Sequence, residues 1–488
     1  MKTRYVTLLM MLLVFAITGA SATNQPPSAT AVNLDEIDAF VLSEMERAGI
    51  PGLSLAVVQG DEVIYTQGYG RADNSGRAVT PQTPFIIGSI GKTFTALAIQ
   101  QLARSGQIDP NAPVQRYLPG FTLADPQAAA QITVQQLLDH TSGIPKAAGE
   151  QAYQLDPQYT TEELVRKAAT IALDRPVGAS REYSNLNYLL LGLVIEAASG
   201  QSYTGYVSKH IWQPLDMTHT YFTEEAAEGL AVGYRTWYGL HVPAQAPFPP
   251  GMLPSGYAIS TAEDLSHYLV AYLNAGHYGR ASVLDSSGFH DIYWNRLPGS
   301  ATSVETSQSG GTLNFNADIH VLPGQDVGVA VLTNTRHLWD GLLPVTTAAS
   351  IARGAAYRVA GRPVPAPPAM SWWQSYLLLD LLALAVVVWV LFRLWRLIRS
   401  WGTAVTLNWR ARLSTLFDFG LGLLFLAGIP ALSNQRWDYL LRSQPDLAGP
   451  VFGAGIILMI VGVGRAVRLF TRRHQEVRIV PATAVSIK

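Results

Sequence analysis

The spacing of hydrophobic residues predicts an α+β domain in the N-terminal part of the chain. Apolar positions at helical spacing over residues 33–48, with Asn33 as N-cap and Glu36 three residues on, predict an opening helix. The stretch LSLAVVQGDEVIYTQGYG predicts two strands around a turn at Gly60 and Asp61. Helical patterns continue to about residue 275, and strand patterns return at residues 305–335. Strands at both ends with helices between them indicate one sheet in which the two ends meet.

A different hydrophobic pattern occupies the C-terminal part. Residues 356–371 include GRPVPAPPAM, which predicts a stiff, extended linker. The apolar runs that follow, residues 376–392, 413–432 and 447–464, are each about long enough to span a membrane. We therefore predict a region of three transmembrane helices over residues 372–470.

Two acidic residues, Asp380 and Asp418, lie within these apolar runs. An acid inside a membrane segment is by default a candidate for function. Both residues lie only a few positions from an interface, which favours the alternative that each snorkels or pairs with an arginine.

The N-terminus has the layout of a secretory signal peptide. Lys2 and Arg4 precede an apolar run at residues 6–17, and the small residues Ala20-Ser21-Ala22 predict cleavage. We assign residues 1–22 to the signal peptide. An uncleaved N-terminal anchor is the alternative, and both interpretations predict export of the main domain.

The distribution of arginine predicts the topology. The loop at residues 393–412 has five arginines and no acid, whereas the loop at 433–449 has two arginines and two aspartates. By the positive-inside rule the first loop and the tail, residues 471–488, are cytoplasmic. We predict a multi-pass protein of the cytoplasmic membrane, in contact with its lipid, with residues 23–371 on the extracytoplasmic side.

Composition excludes several classes of function. Charged residues make up 14% of the chain, against about 25% in soluble domains, as expected of membrane segments. The net charge of −1 gives no indication of a nucleic-acid partner. Cysteine is absent, no HExxH pattern occurs among the ten histidines, and Gly-x-Ser-x-Gly does not occur. We therefore expect no metal and no cofactor, and the α/β-hydrolase class is disfavoured.

The first candidate for chemistry is Ser89 with Lys92, one of only six lysines in the chain. Residues three apart on a helix are neighbours, so the hydroxyl and the amine can touch. A helix N-terminus favours developing negative charge, and burial would lower the pKa of the lysine so that it acts as a base. A lysine snorkelling from a helix start is the structural alternative.

Two later motifs occur in the order expected of one family. They are Tyr183-Ser184-Asn185 and the pair Gly310-Gly311, which comes just before a strand pattern. With them the sequence resembles the penicillin-recognising serine hydrolases, in the branch of class C β-lactamases and D-alanyl-D-alanine carboxypeptidases. The stretches LLDHTSGIP, PSGYAISTAEDLSHYL and GQDVGVAVLTN extend the likeness. It implies a β-lactamase-like catalytic domain over residues 30–355, an antiparallel sheet flanked by helices plus a helical subdomain.

The resemblance also implies roles for individual residues. Ser89 is the nucleophile that forms an acyl-enzyme, Lys92 is its base, and Tyr183 passes a proton to the leaving group. Asn185 binds the amide of the substrate's acyl side chain. The backbone N–H groups of Ser89 and Gly311 form the oxyanion hole.

Structural alternatives exist for several of these residues. Tyr183 can be a core tyrosine, Asn185 a helix N-cap, and Gly310 with Gly311 a hairpin feature. His140 and Ser142 of DHTSGIP are interpreted as a structural turn.

One position departs from the family pattern. Gln308 stands where the family has lysine or histidine at the head of the third motif. A neutral amide donates hydrogen bonds but brings no charge to a substrate carboxylate. Recognition of a free C-terminal carboxylate is therefore in doubt, while the acylation residues are complete.

The sequence predicts a membrane-anchored extracytoplasmic serine hydrolase that acts on an amide or an ester. Its small-molecule or peptide substrate is left open among D-amino-acid peptides of the cell wall, β-lactams and small esters, and its oligomeric state is undetermined. The alternative is a catalytically weak or inactive ligand-binding or sensor protein of the membrane.

Overall fold

The computed structural model describes residues 33–149, 160–245, 248–284, 305–336, 346–368, 370–403, 409–433, 437, 440–441 and 445–478. The predicted signal peptide at residues 1–22 lies outside the described residues.

A five-stranded antiparallel sheet forms the centre of the domain, with the strand order β2-β1-β11-β10-β9. Its strands are β1 Gly52–Gln59, β2 Glu62–Gly70, β9 Thr306–Gly311, β10 Asn316–Leu322 and β11 Val327–Thr333. Strands β1 and β11 pair with Leu53 opposite Thr333. The predicted hairpin and the predicted meeting of the two ends of the domain are both confirmed.

The strand sequences explain this arrangement. Every residue of β11, VGVAVLT, is buried, and in β1 only the last residue is exposed. Continuous apolar runs of this kind are typical of strands covered on both faces. Strand β2, in contrast, carries mostly exposed or half-exposed residues and lies at one edge of the sheet.

Helices flank the sheet and form a separate helical part. Helices α8 and α9 pack on the central strands, α1 packs on α9, and α2 packs on α6. The helices of this domain are α1 Leu34–Ala48, α2 Lys92–Arg104, α3 Pro126–Ala129, α4 Val134–Leu138, α5 Thr161–Lys167, α6 Asn185–Ser199, α7 Tyr203–Val207, α8 Ala262–Leu273 and α9 Ala348–Val359.

Three short strand pairs are not predicted by the sequence pattern, and two of them lie in the region before about residue 275 that the pattern assigns to helices and loops. They are β3 Phe85–Ile86 with β6 Ile259–Ser260, β4 Tyr234–Trp237 with β5 Leu240–Pro243, and β7 His277–Tyr278 with β8 Ala281–Ser282. Strands of two to four residues are too short to show an alternating pattern.

Three helices long and apolar enough to cross a membrane follow the proline-rich segment, as predicted. They are α10 Trp372–Arg399, α11 Trp409–Leu423, which continues through a π-helical turn at Leu424–Gly428, and α12 Pro445–Arg478. Asp418 is fully buried and pairs with Arg393 and Arg465. The arginine-paired interpretation therefore holds for Asp418. The Oδ1 atom of Asp380 has no hydrogen-bond partner within the described part of the chain.

Candidate active site

Ser89 lies on a single 3-10 turn, Gly88–Gly91, that runs directly into α2. The turn begins at Gly88, whose φ of +54° is in the left-handed region that glycine adopts without a steric cost. Its neighbours Ile87 and Ile90 are fully buried. Ser89 itself is half-buried, so the apolar side chains fix the turn and leave the hydroxyl accessible.

Lys92 is the first residue of α2 and is 2% exposed. Its Nζ lies 3.1 Å from the Ser89 Oγ and 2.8 Å from the Asn185 Oδ1, and it also contacts the Ser255 backbone oxygen. Burial lowers the pKa of Lys92, although the nearby Tyr183 opposes this shift. The two carbonyl oxygens can only accept hydrogen bonds. Nζ donates to both of these oxygens as well as to the Ser89 Oγ. An amine that has lost one proton would keep two N–H bonds for the carbonyl oxygens and leave its lone pair for the Ser89 hydroxyl.

Tyr183 also contacts Ser89. Its hydroxyl shares a 2.7 Å hydrogen bond with the Ser89 Oγ, and its ring lies 4.9 Å from the Lys92 Nζ. Tyr183 stands in the extended segment just before α6, two residues before Asn185. The N-cap of α6 is Ser184, so the interpretation of Asn185 as the cap is wrong. The amide of Asn185 is instead turned toward Lys92.

The buried ring of His140 packs against the ring of Tyr183. His140 is 4% exposed, and its ring lies 4.6 Å from the ring of Tyr183 and 5.2 Å from that of Tyr188. Its Nδ1 accepts from the backbone N–H of Ser184 and lies 3.1 Å from the Asn187 Nδ2. Burial, reinforced by the charges of Lys92 and Arg181, lowers the pKa of His140 to about 2.

The segment around His140 is structural, as the sequence interpretation held. Ser142 is fully buried and donates to the Asn187 Oδ1 at 2.8 Å. Both His140 and Ser142 therefore contact the start of α6 rather than Ser89, and together they fix the segment in which Tyr183 and Asn185 lie.

Strand β9 closes the other side of the site, with Gly310 and Gly311 at its end. A Cβ atom added to Gly310 would lie 1.9 Å from the Ile87 backbone oxygen, and one added to Gly88 would lie 2.4 Å from the Gly311 nitrogen. The backbones of β9 and the Ser89 turn therefore touch at a distance that only glycine allows. This contact brings the Gly311 N–H to the turn that carries Ser89.

The side-chain amide of Gln308 is directed at neighbouring backbone oxygens. Its Nε2 donates to the Ser309 backbone oxygen at 2.8 Å and lies 3.4 Å from the Ser89 backbone oxygen. Ser309 donates to the Asp318 Oδ2 at 2.5 Å, and burial raises the pKa of Asp318 to about 7. Gln308 and Ser309 thus hold β9 in place against the turn and against β10.

A cation that the sequence analysis did not identify by residue lies beside the third motif. The guanidinium of Arg336, just after β11, donates to the Thr312 backbone oxygen at 3.2 Å. A Cβ atom on Gly311 would lie 2.8 Å from its Cζ. Arg336 therefore places positive charge next to the end of β9, where Gln308 brings none.

Sequence reasoning missed Arg336, the backbone oxygen of Ser255 and the supporting role of His140. Arg336 lies two residues after the end of the matched stretch GQDVGVAVLTN, and Ser255 and His140 lie within the other two matched stretches. These stretches held the signal, but they gave no indication of which of their atoms face the site.

Comparison with known proteins places these motifs in a family. The family model described as Beta-lactamase matches residues 37–353. Protein flp of Staphylococcus aureus is 30% identical over 312 residues, which cover 61% of this chain and 62% of the relative. The chain thus spans about three fifths of that relative's length.

Solved structures show the same fold. The octameric penicillin-binding protein homologue from Pyrococcus abyssi matches with a TM-score of 0.60 and 27% identity, covering 69% of this chain and 79% of that one. The D-alanine carboxypeptidase AmpC from Burkholderia cenocepacia matches with a TM-score of 0.51 and 22% identity, covering 67% of this chain and 99% of that one.

Proposed function

Since this chain belongs to the beta-lactamase family, we propose that it is a serine hydrolase that forms an acyl-enzyme on Ser89. The observation that carries the proposal is the contact of the Ser89 Oγ with both the Lys92 Nζ and the Tyr183 hydroxyl. A nucleophile in hydrogen-bond reach of a buried base, with that base oriented by further groups, is the signature of covalent catalysis. Asn185 and Ser255 orient the base here.

Acylation begins when the Ser89 Oγ attacks the carbonyl carbon of an amide or ester. The Ser89 proton passes to the neutral Lys92 Nζ as the new O–C bond forms. The negative charge that develops on the carbonyl oxygen is held by the backbone N–H groups of Ser89 and Gly311. The bond to the leaving group then breaks, and Tyr183 protonates the departing amine or alcohol. Lys92, which lies against the Tyr183 ring, returns that proton to Tyr183.

Deacylation reverses these roles with water as the nucleophile. Tyr183 and Lys92 remove a proton from the water as its oxygen attacks the acyl carbon. The ester bond to Ser89 then breaks, and the Ser89 Oγ takes back a proton. The net reaction is hydrolysis, and it needs no cofactor and no metal.

The substrate class depends on the charge beside β9. Gln308 is engaged with backbone oxygens, whereas Arg336 lies against Gly311. We expect an anionic group of a substrate to meet Arg336. A D-alanyl peptide or a β-lactam would present such a group, and a small ester would not need it.

Labelling tests the nucleophile. The full-length protein in detergent is treated with a fluorophosphonate, and its intact mass is measured. We expect one adduct in the parent protein and in Ser105→Ala, a control at an exposed serine, and none in Ser89→Ala. An adduct on Ser89→Ala of equal yield would refute the assignment.

Turnover separates a hydrolase from a ligand-binding protein. The protein is treated separately with a penicillin, an activated ester and a D-alanyl-D-alanine peptide, and its intact mass is followed over time. Return to the unmodified mass with release of product identifies hydrolysis. A permanent adduct with every substrate would favour the binding protein.

We also propose that the three helices anchor the protein in the cytoplasmic membrane with the catalytic domain outside. The support is the arginine-rich loop between α10 and α11 and the basic residues at the end of α12. A phosphatase reporter that works only after export, fused after Lys488, is expected to be silent. Activity of that fusion would overturn the orientation.

A further inference from the structure

The hairpin of β4 and β5 carries an exposed apolar tip. Trp237, Tyr238 and Leu240 are 44%, 54% and 68% exposed. Tyr238 and Gly239 both have positive φ, 47° and 73°, as a two-residue type I′ turn requires. The tip is therefore a tight and ordered projection. Large apolar side chains grouped at such a projection indicate a contact with something outside the domain.

The tip lies beside the ends of the membrane helices. The backbone N–H of Tyr238 donates to the Oδ2 of Asp446, in the first turn of α12, at 3.3 Å. On the next strand the ring of His241 stacks on that of Trp372, the first residue of α10, with centroids 5.0 Å apart. The hairpin is thus held against the starts of two membrane helices, α10 and α12.

The residue types fit the interface of a membrane. Tryptophan and tyrosine are enriched where the hydrocarbon core meets the polar headgroups, because their rings are amphipathic. Trp372 and Trp373 mark this level at the start of α10, and Trp373 is 52% exposed. Trp237 and Tyr238 stand at the same end of the helices, with Leu240 beyond the turn as the most exposed of the three.

The base of the hairpin reaches the active site. The backbone N–H of Tyr234 donates to the Asn334 backbone oxygen at 2.8 Å, two residues before Arg336. The side chain of Asn314, three residues after Gly311, donates to the Ala244 backbone oxygen at 2.6 Å. The hairpin therefore links the membrane helices to the loop that follows β9, the strand that ends at Gly311.

We propose that the tip of this hairpin, residues 237–240, is inserted in the interfacial layer of the membrane that the chain's own helices cross. The occupant of the exposed apolar surface is lipid, at the headgroup and upper acyl level. The insertion adds a fourth point of attachment and fixes the orientation of the catalytic domain on the bilayer.

The absence of cysteine allows a direct test in the full-length protein. Leu240→Cys and, as a matched control, Val63→Cys are labelled with a polarity-sensitive fluorophore and reconstituted in lipid nanodiscs. Val63 is 40% exposed and lies near the far end of β2, whose other end, Gly70, pairs with Gly52. Gly52 is three residues from Gly49, which contacts Trp372. The control therefore sits at the end of the sheet away from the membrane.

One quencher in the lipid and another in the water distinguish the outcomes. Lipid brominated along its acyl chains is expected to quench the label at position 240 at least threefold more than that at 63, and aqueous iodide is expected to do the opposite. Trp237→Cys provides a second position in case Leu240→Cys folds poorly. Iodide quenching at 240 equal to that at 63 would show that the tip faces water. Protection from both quenchers would show that protein, and not lipid, covers the tip. Either result overturns the proposal.

Discussion

The rings of His140 and Tyr183 lie 4.6 Å apart, so a buried histidine that does not contact Ser89 fixes the tyrosine that does. The His140 Nδ1 accepts the backbone N–H of Ser184, which locks the residue that follows Tyr183. Because the ring must stay neutral to accept this bond, the geometry of the site depends on the protonation of a group that the chemistry does not use.

The stability of the domain should therefore fall in acid. The pKa of His140 is about 2 in the folded protein and about 6.5 when unfolded, so below pH 6.5 the unfolded chain binds the extra proton. Between pH 7 and pH 5 the loss should be about 2 kcal/mol. His140→Asn tolerates the left-handed φ of 58° and should remove this part of the dependence. Thermal unfolding of both proteins in detergent at the two pH values measures the difference. An equal loss in the variant would contradict the assignment.

The rate of acylation should rise with pH and reach its plateau below the ordinary lysine pKa of 10.5. Burial lowers the pKa of Lys92, and only the neutral amine can take the Ser89 proton. Lys92→Arg keeps the charge but has no accessible lone pair. It should lower acylation by about 10²–10⁴, the usual value of a general base. Lys209→Arg, at an exposed lysine, is the control. Single-turnover labelling across pH provides the measurement, and a flat profile in the parent protein would count against Lys92 as the base.

Gly310→Ala should disable the site without unfolding the domain. The added methyl would meet the Ile87 backbone oxygen and push β9 away from the Ser89 turn. Displacing the Gly311 donor should lower acylation by about 10²–10³. Gly120→Ala, where an added methyl meets nothing within 4 Å, should behave like the parent protein. Acylation rates are compared after circular dichroism has shown that each variant is folded. Unchanged acylation in Gly310→Ala would argue against an oxyanion donor at this strand end.

The positive charge of Arg336 beside β9 should raise kcat/KM for anionic substrates and leave that for neutral substrates unchanged. Arg336→Gln should lower kcat/KM about tenfold for a substrate with a free carboxylate and leave neutral esters unchanged, since a charge-assisted hydrogen bond is roughly twice as strong as a neutral one. Gln308→Lys supplies a cation where the family has one, and it should restore the loss in the Arg336→Gln background. The four proteins form a double-mutant cycle measured with both substrate types. A loss shared equally by esters and carboxylates would remove Arg336 from substrate recognition.

Much of the sheet could be predicted from the sequence, because the patterns that indicate its turn and its strands each lie within one short segment. The Gly60-Asp61 turn and the apolar runs of β1 and β11 each stand within a few residues. The short pairs such as β4 with β5 carried no such signal, and their strands exist because tertiary contacts hold them, as in the bond from Tyr234 to Asn334.

The motif residues were identifiable, but their partners were not. Ser89 and Lys92 are three residues apart, and their proximity follows from helix geometry. Ser255 contributes a backbone oxygen, which no residue type reveals. Arg336 reaches the site only because β11 ends beside the start of β10, which pairs with the end of β9. A sequence pattern reports side chains along one element, whereas these contacts come from elements that meet only in the fold.

The position of β1 between β2 and β11 has a consequence for biosynthesis. Strand β1 can pair with β2 as soon as both have been made, but its other edge has no partner until β11 emerges, near the end of the domain. An apolar strand with an open edge is a site for aggregation. Closing so long a loop is slow, because the entropy of the intervening chain is lost before the pairing contributes. The nascent domain therefore spends most of its synthesis with an apolar strand half-paired, and it depends during that time on whatever shields the edge of β1.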